Sequence, residues 1–229
     1  NSEDYYSRPF YSTFIRWLRW FAFFLSTLLP GLYVAITTFH HELLPPPLLR
    51  SIAAAQEGTP FPAVIEALIM QTLYEILREA GVRLPRPVGQ AVSIVGALVI
   101  GDAAVKAGLI GSPMVVVVAL TAIAAFVVTS LSDVSAVSRF LFIILGGILG
   151  LYGIMLGFAG FLTHQCTLRS LGVPYTSPVA PTTFSDLKDV LISPPKWAMI
   201  TRPRALGGKN PIRQKFSQMP KSPQDDSKN

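Results

Sequence analysis

PFPAVIEALIMQTLYEILREAGVRLPRPVGQAVSIVGALVIGDAAVKAG, Pro60 to Gly108, carries two helices of different character joined by an elbow. At 100° per residue, Ala63–Ala80 places Ala67, Ile69, Met70, Leu73, Tyr74, Ile76 and Leu77 on one broad face. Gln71, Glu75, Arg78 and Glu79 share the other. Pro60 and Pro62 suit the start of this helix, and Gly81 suits the position just past its end. Such a helix is about 27 Å long by helix rise, and half of it is polar. The spacing therefore predicts a partial amphipathic helix that lies at an interface or re-enters between spans. Glu66 breaks the pattern by falling inside the apolar face. One reading is a first-turn carboxylate favoured by the helix dipole; the other is an acid on an ion path.

The elbow Val82-Arg83-Leu84-Pro85-Arg86-Pro87 is not helical throughout, because proline removes a donor and restricts the residue before it. Beyond it the chain is apolar. Gly89, Ser93, Ala97 and Gly101 recur every four residues, giving a nearly bare stripe against which a second helix packs closely. Beside the stripe run Gln90, Asp102 and Lys106. Asp102 and Lys106 are four residues apart and can neutralise each other. An ionisable pair inside an apolar helix faces protein or a wet cavity, so a structural pair and an ion path are both open readings. Val92, Val95 and Val99 are candidates for a hydrophobic gate on the same helix.

Working outward, the remaining apolar residues come in blocks of near-spanning length. The chain has 229 residues, 51% hydrophobic and 14% charged, which is not a soluble composition. Spans are expected at Trp20–Phe39, Gln90–Leu109, Met114–Leu131 and Arg139–Leu162, with a kink at Pro30-Gly31. The expected fold is an all-α polytopic membrane helix bundle of about four spans plus the partial helix. In the last span Gly146, Gly150, Gly153, Gly157 and Gly160 form a seam at spacings of four, three, four and three. Close contact follows, either within one subunit or between subunits. A signal peptide is the competing reading of the first block, but its core is too long and lacks a clear cleavage site.

Three segments result: 1–19, a polar and basic juxtamembrane end; 20–162, the transmembrane domain; and 163–229, a proline-rich basic tail. Ten of the nineteen Lys and Arg follow His164, which puts the tail, and with it the N-terminus, on the cytoplasmic side near anionic lipid. The arginines of the 40–89 connection oppose that orientation. Leu168–Pro181 is expected to fold back on the membrane domain, and Ser185–Leu191 to form a short capped helix. Nucleic acid is excluded as a partner, since the basic residues are dispersed among prolines without aromatic interleaving. One cysteine, Cys166, excludes an internal disulfide and a multi-cysteine metal site. His41-Glu42-Leu43-Leu44 opens like a zinc-protease helix, but Pro45 stands where the second histidine is needed. No metal, cofactor or enzymatic machinery is expected.

The opening stretch, together with SEDYYSRP (Ser2–Pro9), LPGLYVAITTFHHELLP (Leu29–Pro45) and LRSLGVPYTSPVAP (Leu168–Pro181), resembles the A subunit of endospore germinant receptors, the GerA family. The resemblance covers nearly the whole chain and corresponds to the membrane domain and the tail. A soluble domain usually precedes this region in the family, so the chain reads as a fragment. The resemblance implies the inner membrane of the spore, a response to nutrients, and a transporter-like B subunit and a lipoprotein C subunit as partners. It also implies a homo-oligomer through which ions leave the spore. Gln71, where the family commonly has Glu, and Gln56, often Arg, depart from its pattern. A paralogous germination channel with another partner is the near alternative. A small-solute transporter is the distant one, disfavoured by the lack of two related halves.

Overall fold

The structure, a computed structural model, describes residues 2–85, 96, 99–182, 187–202 and 212–214. The chain forms two compact units, one of Arg19–Gly160 and one of Asn1–Leu18 with Phe161–Asn229. Helix dominates: α1 (Pro9–Phe39), α2 (Pro46–Gln56), α3 (Ala63–Arg83), the helical residues 99–106 (α4), α5 (Ser112–Val127) and α6 (Ser132–Thr167). Two of these, α1 and α6, are long and apolar enough to cross a membrane, and α5 is apolar but shorter. The remaining strand structure described is a two-stranded hairpin in the tail.

Several boundaries differ from the sequence pattern, each for a physical reason. Helix α1 starts at Pro9, well before the apolar block, and runs through Pro30 to Phe39, the expected end of that span. Helix α3 continues past Gly81 to Arg83, where Glu79 pairs with Arg83 one turn on at 2.7 Å. Helix α5 stops at Val127, and a 3-10 turn, Thr129–Leu131, leads into α6. Of the expected Gln90–Leu109 span, residues 90–95, 97 and 98 lie outside the described residues.

The largest difference is in α6. Gly150 has φ 63° and ψ −145°, a backbone state that favours glycine, and the chain turns back on itself there. A Cβ on Gly157 would lie 2.6 Å from Leu145 Cδ1 and 3.1 Å from Phe142 Cε1. In a continuous helix those positions would be about 18 and 22 Å apart. The expected single span Arg139–Leu162 is therefore a helical hairpin with arms 132–149 and 151–167. Each arm is about 26 Å long, just under the roughly 30 Å hydrocarbon core of a bilayer.

The glycine seam serves this hairpin and its contact with α1. A Cβ on Gly31 would meet the Phe142 carbonyl oxygen at 2.7 Å, and one on Gly146 would meet the Gly31 carbonyl oxygen at 2.6 Å. Gly150 packs beside Phe39 and His40, and Gly153 against the Leu145 carbonyl. Four seam glycines thus face this same chain, while Gly160 faces open space. As α1 advances from residue 26 to 40, its contacts on α6 advance from Ser135 to Gly150, so the first arm lies parallel to α1. The second arm returns antiparallel, bringing Phe158 to Phe24 with ring centroids 6.0 Å apart. Apolar packing completes the unit. One cluster joins Val34, Ala67, Met70, Ile110, Met114, Val118 and Ile143, and another joins Ala35, Phe142 and Ile154.

The outward faces are apolar as well. Val116, Leu120, Ile123 and Phe126 on α5 are exposed, as are Val137, Leu141, Ile144 and Ile148 on the first arm of α6. Soluble monomers rarely carry such continuous apolar surface.

Candidate functional site

The interior of the Arg19–Gly160 unit holds a polar cluster, and the polarity starts with a proline. In α1 the carbonyl of Ser26 would accept the N–H of residue 30, but Pro30 has none to give. Arg139, from the first arm of α6, fills the gap by donating its Nε–H to the Ser26 carbonyl at 2.6 Å. The guanidinium donates also to Glu75 Oε1 at 3.1 Å and to Ser135 Oγ at 3.3 Å, and it lies 5.6 Å from the Tyr74 ring centroid. Arg139 is 1% exposed, the bulkiest of the fully buried side chains.

Glu75 is the hub on the α3 side. Its Oε1 also accepts from Gln71 Nε2 at 3.2 Å, and its Oε2 meets Arg78 Nη2 at 2.8 Å. Ser26 and Thr27 hydroxyls each lie within hydrogen-bond distance of Ser135 Oγ, at 3.1 and 3.2 Å. Among the described residues Gln71 Oε1 has no protein partner, nor does the Tyr74 hydroxyl. One carboxylate serving two guanidiniums and an amide, with one acceptor left open, is a polar core able to accept a further donor.

Helix α3 departs in part from the amphipathic reading: Ala67 and Met70 are buried as expected, and Glu79 is exposed. Gln71 and Glu75 face the interior, while Ile65, Ile69 and Ile76 are exposed. Polar residues inside and isoleucines outside suit an apolar surrounding, not water. The hydropathy pattern did not single out Arg139, whose position at a span boundary resembles an ordinary flank. The available signal was Pro30, whose missing N–H requires a donor from elsewhere.

Glu66, flagged by the pattern, is 1% exposed. Its Oε2 accepts the N–H of Gly111 at 3.3 Å. Gly111 caps α5, so the carboxylate sits in the first turn of its own helix and at the start of another. Both dipoles favour a negative charge there. Its Oε1 has no protein partner among the described residues. The Gln56 amide and the Tyr33 hydroxyl lie 3.5 Å apart, and the Gln56 stem borders Gly111 as well.

Asp102 and Lys106 are not buried within the chain. Their side chains are 59% and 74% exposed and pair with each other at 2.7 Å. Val99 is exposed beside them and, with Phe61, Ile69 and Leu73, lines an apolar groove of about 450 Å³. Gly101 is buried against Val115. Gln90, Val92, Val95, Gly89, Ser93 and Ala97 lie outside the described residues. The structure thus brings Glu75, Gln71 and Arg139 together, and holds Asp102 and Lys106 apart from them on the outside. Among the described residues no group of three or more His, Cys, Asp or Glu side chains could hold a metal ion.

Comparisons with known proteins fit a helical membrane chain of this kind. It is 53% identical over 220 residues to spore germination protein KA of Bacillus subtilis, covering 95% of this chain and 40% of that protein. It is 48% identical over 204 residues to the uncharacterized membrane protein YfkQ of Bacillus subtilis, covering 88% and 40%. Against spore germination protein GerLA of Bacillus cereus the identity is 43% over 210 residues, covering 91% and 43%. The chain therefore spans about two fifths of the length of these relatives. No solved structure matches it. The family described as Bacillus/Clostridium GerA spore germination protein matches residues 1–205. The chain belongs to that family.

Proposed function

We propose that this chain is the membrane part of an A-type subunit of a nutrient-responsive germination receptor in the spore inner membrane. In this reading it is not an enzyme. It assembles with copies of itself, and with a transporter-like and a lipoprotein subunit, into an oligomer that conducts ions at the start of germination. Family membership supports the receptor setting, and one observation supports conduction. The Asp102–Lys106 pair is exposed on a unit whose α5 and first α6 arm present apolar outward faces. Charges so placed are costly against lipid and tolerable against a wet lumen or a neighbouring subunit.

Conductance of the full-length protein, reconstituted with its partner subunits, tests this directly. Asp102→Asn is expected to reduce cation selectivity, and Asp102→Asn with Lys106→Gln is expected to reduce it too, because the acid attracts the cation. Recovery in the double variant would make the pair purely structural. Unchanged selectivity and conductance in correctly assembled Asp102→Asn would remove Asp102 from the path.

A further inference from the structure

Beyond α6 the chain makes a tight β-hairpin. Arg169 and Ser170 pair antiparallel with Pro174 and Val173, and the Tyr175 N–H donates to the Leu168 carbonyl at 2.9 Å. The two turn residues are Leu171 and Gly172, both at positive φ, 52° and 83°. A two-residue hairpin turn of this kind strongly favours Asn-Gly or Asp-Gly, because both central residues must be left-handed. Gly172 meets that demand. Leu171 does not, since in a left-handed residue the Cβ crowds the following carbonyl.

The misfit has no compensation among the described residues. Leu171 is 102% exposed and packs on none of them. A bulky apolar side chain thus occupies a disfavoured backbone state and points entirely outward. When a residue breaks a local rule, the gain is to be sought in a contact outside the chain. The surroundings indicate which contact. The hairpin begins two residues after α6, whose composition turns polar from Thr163 onward, as at the edge of a membrane. Arg169 is exposed on one strand and Tyr175, 61% exposed, follows the other. A guanidinium, a phenol and a leucine tip are the residue types that suit phosphate headgroups and the top of the acyl chains.

We infer that the Leu168–Tyr175 hairpin is a lipid-docking finger that inserts Leu171 into the headgroup–acyl boundary, with Arg169 and Tyr175 at headgroup level. A lone tip side chain offers too little area for a stable protein interface, whereas a bilayer surface needs no shaped pocket. Continuity with the apolar second arm of α6 keeps the finger at that surface, so docking adds orientation and not recruitment. This inference rests on the membrane location and not on ion conduction.

The test uses the full chain with Cys166→Ser and a single new cysteine, Ser170→Cys, carrying an environment-sensitive fluorophore. The protein is placed in phosphatidylglycerol/phosphatidylethanolamine vesicles containing lipids with a nitroxide near the headgroup. Blue-shifted emission quenched by the nitroxide is expected. Adding Leu171→Asn, which suits the turn better and so preserves the hairpin, should abolish most of the quenching without lowering the thermal midpoint. Water-like emission with no quenching overturns the inference, as does quenching that Leu171→Asn leaves unchanged. If the fluorophore is shielded only when partner subunits are added, the finger docks on protein and the lipid assignment falls. Loss of conductance with intact quenching would count against the proposed channel and leave the finger standing.

Discussion

Two arginines organise the two compact units, by the same chemistry applied to different problems. Arg139 combines a backbone carbonyl, Ser26, with a carboxylate, Glu75. Arg16 combines the Asp189 and Val190 carbonyls with the Asp189 and Asp4 carboxylates, at 3.3 Å for Val190 O, 3.2 Å for Asp189 Oδ1 and 3.7 Å for Asp4 Oδ2. In both, the planar fork of guanidinium donors serves carbonyls that no helix or sheet ladder satisfies. The reasons those carbonyls are orphaned differ. Around Arg139 a proline interrupts an otherwise regular ladder. Around Arg16 the tail segment 187–193 is irregular, with one 3-10 turn, and has no ladder to begin with. Thr13 Oγ1, accepting the Ser193 N–H at 3.1 Å, and Trp17, donating to the Leu191 carbonyl at 3.0 Å, extend that clamp.

Removing Arg139 should give the larger loss. Arg139→Leu leaves the Ser26 carbonyl unpaired and strips one of the two guanidiniums from Glu75. Breaking one side of a buried pair costs about 3–5 kcal/mol, and because Arg78 stays with Glu75 the lower end is expected. The comparison is sharpened by Pro30→Ala, which restores an N–H four residues after Ser26. In that background the Arg139→Leu penalty should shrink by about 1 kcal/mol, the net worth of one hydrogen bond. Thermal unfolding in detergent of the four-variant cycle measures this. Equal penalties in both backgrounds would break the link between the proline and the arginine.

That link also shows what a single sequence conceals. Pro30-Gly31 read as a kink within a helix running to Phe39, and the helix does run on; the side chain that takes the orphaned Ser26 carbonyl, Arg139, was not legible. Gln71 and Glu75 read as a solvent face because helical-wheel logic assumes water on the polar side. With a guanidinium to meet inside, those two side chains turn inward while Glu79 stays exposed. Glu66 was legible, since an acid inside an apolar stripe stands out whatever the solvent. The glycine spacing was legible as close packing but silent on the reversal. Four-three spacing describes one straight seam and two folded arms equally well, and the sign of φ at Gly150 leaves no trace in composition. Asp102 with Lys106 was legible as a pair by spacing alone. Its exposure depends on the packing of α4 against its neighbours, which no local pattern encodes.

The next effect in size concerns how tightly the core around Arg139 is drawn together. Gly146→Ala and Gly31→Ala each place a methyl group within 2.7 Å of a backbone carbonyl oxygen on the other helix. Backbone yields less readily than a side-chain tip, so each should cost about 1–3 kcal/mol. Gly160→Ala meets nothing within 4 Å and should be neutral or slightly stabilising through helix propensity. Thermal midpoints of the three variants, with oligomer size followed in parallel, separate a contact within the chain from one between chains. If Gly160→Ala changes oligomer size while Gly146→Ala leaves stability intact, the seam serves assembly and not the fold of this unit.

The smallest effect belongs to the Arg16 clamp, which is partly open to water. Arg16→Gln should leave the unfolding of the Arg139 unit unchanged while hydrogen exchange and proteolysis of residues 187–193 accelerate. Tyr5 gives a finer handle on the same contact. Its hydroxyl donates to Asp189 Oδ2 at 2.5 Å, and that bond, with some burial and the nearby carboxylate charge, raises the Tyr5 pKa above its ordinary value of 10.0. An acid whose folded pKa is raised stabilises the clamp in its protonated form. The contribution is therefore fully present below the unfolded value and lost as pH rises through the folded one. Protection of 187–193 against proteolysis should be flat through neutral pH and decline in the alkaline range above pH 10. Tyr5→Phe should show a lower plateau without that alkaline decline, since it lacks both the bond and the proton. Arg16→Gln should lower protection at every pH and keep the decline, because Tyr5 and Asp189 remain. An alkaline decline that persists unchanged in Tyr5→Phe would assign the titration to another group and leave Arg16 holding the tail without the tyrosine.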